Sequence, residues 1–214
     1  RHRPGRDDLD DLPLHEPRVQ PMKVEQLVND RATEHQRQRF NQLWENLFGD
    51  ADGPASEKRH NNFTTLSAAQ IRTAVQNGVL EPCERGPATA TLFAKAEPEK
   101  HRARMITWPK QVNARACESE MKLRGLQEIK RMAAGAESAF TADLRAAFFQ
   151  VRIPENARAL YTIKANGRFY RMTRMSMGAR ASPELMQLIS DMLIGGIAGK
   201  NGDMAVHIDN FLGA

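Results

Sequence analysis

Apolar residues fall into two kinds of run along this chain, and the change of period marks its elements. Val24, Leu27 and Val28 form one cluster, and Phe40, Leu43, Trp44 and Leu47 form a second at helical spacing. Ser67 can cap a helix running to about Gly78, with Ile71, Val75 and Val79 on one side. Residues 89–96 and 104–108 alternate as strands, joined by the charged loop 97–103. Residues 118–132 return to a helical period, with Met121, Leu126, Ile129 and Met132 expected inward. A short strand opens at Ala139 and ends in Asp143. Residues 159–163 and 168–172 flank Ala165-Asn166-Gly167, and Asn-Gly between alternating apolar residues is a strong hairpin signal. Ser182-Pro183-Glu184 reads as cap, first-turn proline and carboxylate near a positive helix end, followed by an apolar face of Leu185, Leu188, Ile189 and Met192. The last strand is 205–208. From Ala139 the order is strand, helix, hairpin, helix, strand: an α+β arrangement of the split βαβ kind, with helices backing an antiparallel sheet.

Organisation follows from the same pattern. Residues 1–21 mix Arg, Asp and Pro with little apolar content and read as a disordered lead or linker. Residues 22–66 form a helical lead-in that includes a polar loop at 49–62, and 67–214 form the main domain. Beginning at Arg1 and stopping at Ala214, the chain is expected to be a piece of something longer.

Charge sharpens the picture. The net charge is +5, and it is concentrated. Residues 95–131 hold ten basic and five acidic side chains, and residues 143–180 hold eight and two. A basic middle of this kind suits a polyanion, although a solvated basic surface is the plainer explanation of the charge alone. Cys83 and Cys117 show neither zinc spacing nor a disulfide framework, which points to a reducing, intracellular compartment, nucleus and cytoplasm being indistinguishable. No apolar run approaches the length of a membrane span.

The candidate chemistry sits at two strand ends. Phe140-Thr-Ala-Asp143 and Val206-His-Ile-Asp209-Asn210 each deliver a carboxylate. Adjacent carboxylates can hold a divalent cation such as Mg²⁺, which prefers oxygen and leaves room in its shell for water and substrate phosphate. For either Asp alone, a turn or cap role is the commoner one.

These two segments, and what lies between them, resemble the polymerase domain of reverse transcriptases, especially those of retrotransposons. Asp143-Leu-Arg-Ala-Ala-Phe148-Phe-Gln-Val-Arg-Ile is close to the gypsy-type pattern, and Gly78-Val-Leu-Glu-Pro82 is similar to the entry into the fingers. Met175-Ser-Met-Gly178-Ala-Arg-Ala-Ser-Pro183 looks like the Met-Pro-Phe-Gly segment of that family. The resemblance implies fingers and palm with no thumb, and an RNA-directed DNA polymerase that uses Mg²⁺ or Mn²⁺, an RNA or DNA template with primer, and deoxynucleoside triphosphates. It implies that Asp143 and Asp209 are catalytic metal ligands, helped by the backbone carbonyl of Leu144 and by Asn210. Phe148 would be a steric gate against a 2′-hydroxyl. Arg104 and Lys95 would grip the triphosphate, and Met177 and Gly178 would lie near the nucleotide. Lys110, Asn113, Gln150 and Arg152 would touch primer or template.

Three positions depart from the family pattern. Relatives carry Tyr-x-Asp-Asp where this chain has His207-Ile-Asp-Asn210, a relaxed box similar to those of DIRS-like and VIPER-like elements. Trp108-Pro-Lys110 replaces Asp-aromatic-Arg, and Ser176 replaces a proline. With Asn210, the expected site holds two negative side chains instead of three. A decayed copy that binds nucleic acid or packs in an assembly is the alternative reading.

Overall fold

A computed structural model describes residues 12–14, 19–50, 66–84, 89–175, 177–195 and 204–214. Among the described residues the α-helices are α1 (Val24–Arg31), α2 (Glu34–Phe48), α3 (Ala68–Gln76), α4 (Lys110–Ala114), α5 (Leu126–Gly135) and α6 (Ser182–Gly195). The strands are β1 (Leu80–Cys83), β2 (Ala90–Glu97), β3 (Arg102–Pro109), β4 (Phe140–Asp143), β5 (Thr162–Ala165), β6 (Arg168–Met172), β7 (Met204–His207) and β8 (Asn210–Gly213). All pairings between these strands are antiparallel. They form a sheet of order β1–β6–β5, the two-stranded ribbon β2–β3, and a sheet of order β4–β8–β7.

Local sequence accounts for several element boundaries. Thr33 and Ser67 open α2 and α3 with complete capping boxes, each hydroxyl accepting from the N3 backbone and each N3 glutamine accepting in return (Gln36 and Gln70). Gly78, at φ +68, ends α3, and the Val79 N–H donates back to Ala74 O. Asn166 and Gly167 both have positive φ, as a type I′ hairpin turn requires.

One core joins these pieces. Helix α6 lies at its centre, with Leu185, Met186, Ile189 and Met192 buried against α1, α2 and β7. The Arg39 guanidinium of α2 reaches the Glu184 carboxylate at 2.8 Å, and both are buried. Burial alone would raise the Glu184 pKa, but the bond from Arg39 holds it below the usual carboxylate range.

Several sequence expectations change. The expected 118–132 helix is α5, which begins eight residues later, and none of its residues is buried; Leu126 is 65% exposed, not inward. Its amphipathic period is real, but among the described residues no core lies against that side. Between β4 and β5 there is no α-helix. Two short 3-10 segments, Ala147–Gln150 and Glu155–Tyr161, take its place. Ser182 does not cap α6; it is the first helical residue, and its hydroxyl is buried with no hydrogen-bond partner among the described residues. Within the 1–21 lead, Leu14 is buried and bridges Ala103, whose N–H donates to Pro13 O at 2.9 Å. Most of the 49–62 loop, and Ser176, lie outside the described residues. Among the described residues no helix is long and apolar enough to cross a membrane.

Candidate active site

Three strands bring the two candidate carboxylates together. In the β4–β8 register Asp143 lies opposite Asn210, and in the β7–β8 register His207 does. Ile208 and Asp209 are therefore the two-residue turn of the β7–β8 hairpin. The Leu144 N–H donates to Asp209 O at 2.9 Å, tying the end of β4 to that turn. Asp143 is exposed and Asp209 half-buried. Burial pushes the Asp209 carboxyl above its ordinary pKa, the Asp143 charge adds to the rise, and Arg104 and His207 oppose it.

The turn itself is strained. Ile208 has φ +60, a conformation that β-branched residues rarely adopt. Gln187 of α6 holds it there. This buried side chain accepts from the Ile208 N–H at 2.6 Å and donates to Asp191 at 3.0 Å and to Val206 O at 3.4 Å. Nothing in the local sequence marks Gln187 as a support of the turn; its i,i+4 relation to Asp191 gives only a helix-surface pair. Asn210 donates to the Asp209 carboxylate at 3.0 Å.

The donors fit a hard cation. Asp143, Asp209, the Leu144 carbonyl and the Asn210 amide would offer it oxygen donors. A positive charge beside Asp209 would relieve the cost that burial and the Asp143 charge add to its ionisation. Among the described residues, no group of three or more His, Cys, Asp or Glu side chains could hold a metal, consistent with the asparagine at 210.

The remaining candidates divide into two groups. Lys95 and Arg104 are direct partners across β2 and β3, on the face opposite buried Ala94, Ala103 and Met105. Lys95 is exposed. Arg104 pairs with Glu97 at 3.0 Å and lies 3.5 Å from the Met177 sulfur. Phe148 is half-buried and Phe149 buried. Both lie in the 3-10 segment Ala147–Gln150.

Other candidates have structural work. Gly178 was expected to make room for a nucleotide or template. Its φ is +115, and a Cβ there would fall 2.0 Å from Thr107 O, so the close approach is to β3. Thr107 N–H donates to Met177 O at 3.0 Å. Asn113 was expected to touch template; it is buried, donating to Gly178 O at 3.0 Å and accepting from Arg180 N–H at 2.8 Å. Gln150 donates to Arg145 O at 2.8 Å. Lys110 starts α4 and is half-buried, while Arg152 is exposed.

Comparison with solved structures places this architecture. The chain aligns with the foamy viral protease–reverse transcriptase in complex with double-stranded DNA at a TM-score of 0.62 and 14% identity, over 92% of this chain and 40% of that one. The chain has a reverse-transcriptase-like fold. The same foamy viral protein bound to an RNA/DNA hybrid aligns at a TM-score of 0.56 and 16% identity, over 89% of this chain and 28% of that one. A selenomethionine-labelled mutant of the prototype foamy virus protein gives 0.59 and 17%, over 92% and 30%. The chain thus spans less than half the length of these neighbours. No family model matches it, and no curated protein matches its sequence.

Proposed function

We propose that this chain is the fingers and palm of an RNA-directed DNA polymerase from a retroelement, related to the gypsy-type, DIRS-like or VIPER-like elements by its motifs. The observation that carries the reading is the convergence of Asp143 and Asp209 at the joined ends of β4 and the β7–β8 hairpin. The foamy viral neighbours support it through their fold.

The reaction would be attack of a primer 3′-hydroxyl on the α-phosphate of a deoxynucleoside triphosphate. Asp143 and Asp209, with the Leu144 carbonyl and Asn210, would hold Mg²⁺ or Mn²⁺. Such ions supply neutralisation of the charge that develops on the attacking and leaving oxygens. The chain's own residues orient the reactants. Gln187 and the Leu144 N–H fix the turn that aims Asp209. Lys95 and Arg104, side by side across the ribbon, would face the triphosphate, which competes with Glu97 for Arg104. Phe148 would pack under the sugar and exclude a 2′-hydroxyl.

Primer extension on an RNA template tests this directly. Asp143→Asn removes one anionic ligand without changing shape, and product should fall ~100-fold or more, the scale of losing a main electrostatic contact. Normal extension by that variant would refute the carboxylate assignment. Phe148→Val should admit ribonucleotides.

Asn210 favours a second reading, a non-catalytic relative that binds nucleic acid. It predicts binding that weakens steeply with salt and no metal-dependent incorporation. Increased synthesis in Asn210→Asp would argue for the polymerase.

A further inference from the structure

The described part of the molecule holds a second concentration of positive charge, separate from the carboxylates. Arg152 and Arg174 face each other across an isolated antiparallel bridge. Like charges directly opposite one another destabilise such a pair. They line a cavity of about 370 Å³ whose other walls are Val19–Pro21 and the end of α3 at Gln76–Gly78. The Met22 N–H donates to Gln150 O at 2.7 Å and fixes the first wall. Among the described residues, no Asp or Glu lines this cavity.

Among the described residues the neighbouring groups do not neutralise the pair. Arg158, the third guanidinium acting on Arg174, is already bridged to Glu81 at 2.9 Å. Arg174 donates to Phe149 O at 3.4 Å, a long contact, while burial and the two neighbouring arginines disfavour its charge. The C-terminal end of α3 contributes partial negative charge. Its carbonyls at Thr73, Ala74 and Val75 are, however, already taken by the Asn77, Val79 and Gly78 N–H groups.

We propose that Arg152 and Arg174 form an anion site that takes a phosphate group. Two planar guanidinium forks offer more donors than one carboxylate can accept and match the several oxygens of a phosphate. The phosphate can come from a nucleic-acid backbone or from free phosphate. The proposal shares no residue with the Asp143–Asp209 site and stands whether or not that site is catalytic.

Thermal unfolding of the 214-residue chain tests it, with sodium phosphate exchanged for sodium chloride at constant ionic strength. Phosphate should raise the unfolding midpoint, and Arg152→Gln and Arg174→Gln should each abolish the rise. Arg152 is exposed, so its variant keeps the test valid if Arg174→Gln does not fold. Fluorescence anisotropy with a short single-stranded oligonucleotide identifies the source. An approximately tenfold weaker affinity in Arg152→Gln assigns the site to backbone phosphate. A thermal response to inorganic phosphate with unchanged oligonucleotide affinity assigns it to free phosphate. An equal phosphate response in Arg152→Gln, or no phosphate response together with no oligonucleotide difference, overturns the site.

Discussion

Two tight hairpins in this molecule reach the same topology by opposite means. Asn166-Gly167 joins β5 to β6 with both residues at positive φ, and a Cβ on Gly167 would meet nothing within 4 Å. These residue types favour that turn before any tertiary contact forms. Ile208-Asp209 joins β7 to β8 with a β-branched residue at φ +60, where glycine is usual. Such a conformation costs about 1–3 kcal/mol and persists only where the surroundings enforce it. Here the enforcement is the Gln187 carbonyl at 2.6 Å on one side and the Leu144 N–H at 2.9 Å on the other. The turn whose sequence fits its shape carries no candidate chemistry, whereas the turn held against its preference presents a carboxylate.

Substitutions can break or sharpen this contrast. The largest effect is expected from Gln187→Leu, which leaves the Ile208 N–H without its acceptor and should cost ~2 kcal/mol in chemical denaturation. Because the turn is then free to relax, incorporation should fall with it; unchanged stability and activity would show that Gln187 is not the enforcing group. Asn166→Ile imposes on the first turn the conflict that the second already contains. It should cost about 1–2 kcal/mol, read as a lower denaturant midpoint, because nothing there compensates. Ile208→Gly relieves the strain but loses a half-buried side chain, so its stability should stay within ~1 kcal/mol of the parent. A loss as large as that of Gln187→Leu would mean that packing, not backbone strain, dominates the turn.

The smallest effect is electrostatic. The Asp209 carboxyl titrates above its unfolded value, so its contribution favours the fold at low pH and is lost as pH rises through the folded pKa. Without divalent cation, Asp209→Asn should therefore raise the melting temperature slightly at pH 7. That advantage should vanish below the ordinary carboxylate pKa. Adding Mg²⁺ should stabilise the parent and not the variant. A melting temperature lowered by the substitution at pH 7 would contradict this electrostatic account.

Most local elements were legible because their signals are short-range. The Ser67 cap, the two fingers strands, the Asn166-Gly167 turn and the apolar face of α6 depend on residues within a few positions of one another. Errors came where a local signal had two outcomes. The period of 118–132 marks an amphipathic helix, but only the surroundings decide whether its apolar side is covered, and here α5 is exposed. Ser182 before a proline resembles a cap, yet the helix takes it in. Gly178 was legible as a point of close approach, but not the identity of what approaches, which is the Thr107 backbone.

By itself, the sequence determined the alternation of strands and helices, the basic middle, and the two aspartates at the ends of apolar segments, because periodicity, composition and spacing are properties of the chain. Only the tertiary structure decided that β8 would sit between β4 and β7 and set Asp143 beside Asp209, that Gln187 would hold Ile208 in an unfavourable conformation, and that Arg152 would face Arg174. Each of these joins residues distant in sequence. Their relative placement depends on how α6 and the sheets share one core, which no local pattern encodes.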